Sequence, residues 1–115
     1  MFAEHGEDFN MNAEYFIKKF ESIPDDHWCV NHFVNPENIN QMCALGHCGE
    51  RLDDPPPLPG ANYFNDEAHQ LKALFHSISY NIRDVNDGTF GCEGLGKTPK
   101  ERVLKVLRLI KSTTN

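Results

Sequence analysis

The stretch Asp53-Asp54-Pro55-Pro56-Pro57-Leu58-Pro59-Gly60 divides the chain. Proline fixes its own φ and has no backbone N–H, and it pushes the preceding residue out of the helical region. Four prolines in five positions therefore exclude any helix or central strand over 53–60 and make an extended, semi-rigid connector. With 115 residues in all, neither flank is a comfortable domain of its own. The two flanks are therefore expected to pack together as a single domain, 1–115. Residues 1–11 read as an acidic, loosely ordered N-terminus. No apolar run approaches the length of a membrane span, and no basic start leads into an apolar stretch, so a cytoplasmic protein with no membrane partner is expected.

On either side of the connector the punctuation is helical. Asn12 caps a helix at about 13–22 with Phe16, Phe20 and Ile23 on one face, and Pro24 follows it. HWCVNHFVN, 27–35, is ambiguous between helix and strand and leans helical. Asn35-Pro36-Glu37 looks like a cap followed by proline at the first helical position, which predicts a helix over about 36–45, extending at most to 52. Asn65 or Asp66 caps the most strongly periodic segment, about 67–85. There Leu71, Leu74, Phe75, Ile78, Ile82 and Val85 recur at three- and four-residue spacing. Asn86-Asp87-Gly88 ends it. Thr98-Pro99-Lys100-Glu101 is a capping box opening a last helix, about 99–112, with Arg102, Lys105, Arg108 and Lys111 along its outer side. The expected fold is mainly α, a small single-domain bundle of four or five helices with a Pro-rich connector and a Gly-rich loop.

Charge is unevenly placed. The net value is −6, yet sixteen of the seventeen acids and only five of the eleven bases precede residue 97. An acidic body with a basic last helix speaks against general nucleic-acid binding. It suits a partner protein with a basic face, or self-association of tail against body.

Between the last two helices, Gly91 to Thr98 reads GCEGLGKT, a full match to the phosphate-binding pattern G-x-x-x-x-G-K-[ST]. A P-loop needs a buried strand feeding the glycines and a second strand ending in an acid for the metal. Here a helix precedes the glycines, and the residues after Thr98 hold one acid, Glu101, and no such strand. The match is therefore judged false for nucleoside triphosphate hydrolysis. A weaker expectation survives: Gly91, Gly94, Gly96, Lys97, Thr98, Lys100 and Arg102 could hold a small anion at a helix N-terminus, with Arg83, Asn86 and Asp87 leading into the same pocket.

A second cluster lies between 27 and 48. Cys29-x2-His32 and Cys43-x3-His47 could supply two ligand pairs to a tetrahedral zinc, although the spacing matches no common finger. The alternative is that the cysteines are small core residues. Adjacent carboxylates at 25–26, 53–54 and 66–67 point apart and read as caps and turns. No complete catalytic set can be named, and no cofactor is called for unless the cluster holds zinc.

The elements Trp28-Cys29, Cys43-Ala44-Leu45-Gly46, Asn86-Asp87 and Thr98-Pro99-Lys100-Glu101-Arg102-Val103-Leu104 together resemble an uncharacterised family of small phage and actinobacterial proteins. The likeness spans about residues 28 to 110. The triple proline and the long glycine loop depart from the family pattern. The resemblance implies a small helical domain and a phage or mobile-element setting, and it implies no activity. Small size, acidity and the lack of a catalytic set then suggest a non-enzymatic binding protein. It would inhibit or sequester a host defence component, either a protein with a basic face or a nucleotide-derived signalling ligand. A zinc-supported domain, structural or hydrolytic, is the alternative.

Overall fold

The computed structural model describes residues 11–49 and 66–113. The acidic N-terminus up to residue 10, Asn65 as a cap, and the connector at 53–60 lie outside these described residues. Within them the chain is mainly helical: five α-helices, two short 3-10 turns and one two-stranded sheet.

Helix α1, Ala13–Glu21, forms where expected. The Asn12 side chain accepts the Tyr15 N–H, 3.0 Å away, so one of the orphan donors of the first turn is satisfied. Its buried face is Ala13, Phe16, Ile17 and Phe20. The last helix, α5, Pro99–Thr113, lies along it. It buries Val103, Leu104, Val106, Leu107 and Ile110 at the spacing of a helical stripe. The expected capping box also forms, shifted by one residue. Thr98 Oγ1 accepts the Glu101 N–H at 3.1 Å, and the Glu101 carboxylate accepts the N–H of Lys97 at 2.8 Å.

The region between 25 and 47 departs from its helical expectation. Asp25–His27 is a single 3-10 turn; strands β1, Val34–Asn35, and β2, Asn38–Met42, then form an antiparallel hairpin, and helix α2 covers only Ala44–His47. Pro36-Glu37 is thus a hairpin turn and not a helix start. The Asn35 side chain does accept the Glu37 N–H at 2.9 Å, as a helix cap would. The same bond closes an Asx turn, and here the chain turns back instead of winding on. The cross-strand bond from Asn35 Nδ2 to Gln41 Oε1, 2.8 Å, fastens the alternative. Ile39 stands exposed on β2.

The long periodic segment is also broken. Helix α3, Asp66–His76, stops at a turn in which Ser79 takes φ 68, and helix α4, Ile82–Asp87, begins afresh. Asn81 caps α4 by accepting the N–H groups of Arg83 and Asp84, at 2.9 and 3.2 Å. The apolar stripe survives the break: Leu71, Phe75, Ile82 and Val85 are all buried. Periodicity alone therefore could not reveal it. All five helices, with Trp28 and Phe33 from the hairpin side, share one apolar cluster. None of these helices is long and apolar enough to cross a membrane.

Candidate functional site

Helix α4 is only six residues long, yet both its ends are fixed. Gly88 closes it in the left-handed conformation, φ 72. Arg102 of α5 closes it a second time. This side chain was placed by the sequence on the outer, basic side of the last helix, and that placement is corrected: Arg102 is 7% exposed. Its guanidinium donates to the carbonyls of Val85 at 2.9 Å, Asn86 at 2.8 Å and Gly96 at 3.1 Å. A positive group against the last carbonyls of a helix satisfies orphan acceptors and complements the helix dipole. Gly88 also makes room for it, since a Cβ there would lie 2.9 Å from the Arg102 Cζ.

With α4 held in this way, Asn86 reaches inward and is 1% exposed. Its Oδ1 accepts the Ala44 N–H at 3.0 Å, and its Nδ2 donates to the Cys29 carbonyl and to Asp87 Oδ1, each at 3.0 Å. One amide therefore ties α4 to the start of α2 and to the strand-like segment after Trp28. Asp87 Oδ1 also accepts the N–H of Asn31 at 3.1 Å, and Asn31 sits at φ 72. The C-A-L-G stretch has physical reasons residue by residue. Cys43 caps α2, its sulfur accepting the Gly46 N–H at 3.4 Å. Ala44 and Leu45 are buried, and Gly46 lies against the Phe33 carbonyl, which a Cβ would approach to 2.0 Å.

Between these parts lies a half-open cleft of about 360 Å³, counting the solvent at its mouth. Asn31, His32 and Phe33 form one wall. Ile82, Arg83, Asn86 and Asp87 of α4 form the other, and Cys43 and Leu45 lie between. The Arg83 guanidinium lies over the Phe33 ring, 5.4 Å from its centroid. Burial pushes the Cys43 thiol up. The amides of Gly46 and Leu45 pull it back, and the charges of Asp87 and Arg83 act on it in opposite senses.

The two constellations read from the sequence are thus redistributed. Arg83, Asn86 and Asp87 keep company with His32 and Cys43, not with the glycine loop. Cys29 and His47 lie outside the cleft: the Cys29 thiol donates to the carbonyls of His32 and Gln41, and the His47 ring packs edge-on against Trp28 while its Nε2 meets the His27 carbonyl at 2.9 Å. Among the described residues, no three His, Cys, Asp or Glu side chains are placed to share a metal ion.

The glycine loop is entered from α4 and holds a 3-10 turn, Cys92–Leu95. Gly91 needs its left-handed φ of 89, whereas a Cβ on Gly94 would meet nothing. The helix end beyond it already has an anion, the chain's own Glu101 carboxylate on the Lys97 N–H. Lys100 turns away and donates to the Glu21 carbonyl at the end of α1, 3.2 Å. With Arg102 buried beneath α4, Lys97 remains on the outer surface of the loop, where it makes no ion pair among the described residues.

Sequence reasoning missed Asn31, Phe33 and Leu45 as cleft residues and Asn81 as the cap that turns α4 toward them. Asn81 had a local signal, an Asn three residues before Asp84; Asn31 and Phe33 had none. Set against known protein families, curated proteins and solved structures, the chain matches none of them.

Proposed function

We propose that this chain is a small non-enzymatic binding protein and that the cleft between Asn31–Phe33 and α4 is its binding site. A pair of charges supports this. Arg83 and Asp87 are one helical turn apart, yet Arg83 makes no ion pair among the described residues. Asp87 takes both its hydrogen bonds on Oδ1, which leaves Oδ2 for an incoming donor. A mixed polar and apolar concavity with a few fixed charges is the usual character of a small-molecule site. The nucleophilic atom it contains, Cys43 Sγ, is held in its thiol form by burial, which favours binding over chemistry.

In the phage or mobile-element setting that the family resemblance implies, occupancy of this cleft would withdraw a host ligand or engage a host partner. The zinc alternative has no comparable support, because its four residues divide between the cleft and its surroundings. The test is a fragment screen followed by amide chemical shifts on labelled protein. Perturbations grouped on 31–33, 43–45 and 82–87 are expected. Hits that group on 91–98, or no hits, would remove the cleft from consideration.

A further inference from the structure

We infer that the ligand of this cleft is a small zwitterion of the α-amino acid class with an apolar side chain, its carboxylate on Arg83 and its ammonium on Asp87. This rests on the cleft being the binding site and goes further in naming what fills it.

The two charges are placed in an unusual way. Arg83 and Asp87 are four residues apart on one helix, a spacing at which opposite charges ordinarily meet. Arginine ahead of the acid is the poorer order of such a pair, and here each group is also drawn aside. The Phe33 ring holds the guanidinium, and the Asn31 N–H and Asn86 Nδ2 hold the carboxylate. The result is a cation and an anion fixed apart on one cleft wall, without each other as partner. A purely anionic ligand would bring its charge beside Asp87, and a purely cationic one beside Arg83. A ligand carrying both signs meets both groups with complementary charge, and a planar guanidinium is suited to a carboxylate in two-point contact.

Polarity narrows the class. Beside the two charges the lining includes Phe33, Leu45 and Ile82, apolar neighbours suited to an aliphatic or aromatic side chain.

The experiment is calorimetric titration of the full chain with each proteinogenic L-amino acid, followed for the best binder by its amine (carboxylate removed) and its deaminated acid. An apolar amino acid should bind, and each truncated analogue should bind at least tenfold more weakly. Arg83 is exposed, so Arg83→Gln folds; it should lose the same factor toward the amino acid and none toward the amine. Asp87→Asn, which keeps an acceptor for the Asn31 N–H, should lose that factor toward the amino acid and none toward the deaminated acid. No binding at millimolar amino acid overturns the inference, as does a binder indifferent to loss of its carboxylate or to Arg83→Gln. If fragments perturb the cleft amides while no amino acid binds, the cleft survives as a site and only the ligand class falls.

Discussion

Two regions of this molecule are built on opposite plans. In the pair formed by α1 and α5, each helix is specified by its own sequence. Its caps are local, its apolar stripe is unbroken, and its rim carries ion pairs such as Arg108 to Glu21 at 2.7 Å and Lys111 to Glu14 at 3.6 Å. The segment from Trp28 to Cys48 has elements of two, five and four residues, none of which could persist alone. It takes its shape from outside, chiefly from Asn86, whose partners are 42 and 57 residues away in sequence. The cleft lies in the second region, where the backbone is fixed by a few directed bonds and its walls come from distant parts of the chain.

The largest effect is expected where the two plans meet. The Phe20 ring belongs to α1 and touches Trp28, with centroids 5.3 Å apart and planes at 72°. Phe20 is fully buried, so Phe20→Ala removes packing from both regions and should cost about 3–5 kcal/mol. Denaturant unfolding should show one transition at a lower midpoint. Two separated transitions would mean that the regions do not share a core.

Asn86→Ala is next and separates the two. It leaves the Ala44 N–H and the Cys29 carbonyl without their partner and should cost about 3 kcal/mol. Hydrogen exchange read amide by amide should show protection lost over residues 28–48 first, with α1 and α5 keeping theirs. Uniform loss would mean that the two regions are one cooperative unit. Thr98→Ala is smaller and falls on the other side. It removes a cap bond of α5 alone and should cost about 1 kcal/mol, leaving the amide shifts of the cleft unchanged.

The same division explains what could be read from the chain. Helices α1 and α5, with Asn12 and the Thr98–Glu101 box, were legible because every signal for them lies within one or two turns. The hairpin was not, because Asn35 accepting from Glu37 fits a helix start and a turn equally well; the choice is made by Gln41 and by the docking of α2. The break at Ser79 hid behind an apolar stripe that continues across it. Arg83, Asn86 and Asp87 were picked out as a group, but their nearness in sequence to the glycine loop suggested one wall and the fold supplies another. Arg102 was misplaced for a related reason. An arginine among lysines on a helix looks solvated, until the end of α4 arrives with two carbonyls to be satisfied and the glycine loop with a third.

The smallest effect concerns a tie on the surface between α1 and α3. The Tyr15 hydroxyl donates to the Glu67 carboxylate, and Lys19 approaches the same carboxylate at 3.3 Å. The hydrogen bond, then burial and the negative charge of Glu67, push the Tyr15 phenol up from 10.0 to about 12. Because the folded chain holds this proton more tightly than the unfolded one, the contact contributes its full stability below pH 10. That contribution is lost as pH rises from 10 toward about 12, where the phenol ionises beside a carboxylate. Tyr15 is 39% exposed, so water screens the pair and the effect is small. Unfolding midpoints of the parent and Tyr15→Phe should therefore lie close together near neutral pH, with the parent slightly ahead, and should converge across this alkaline window. A parent that gains on the variant as pH rises would mean that Tyr15 is ionised in the fold, and the phenolate absorbance would then appear well before pH 12.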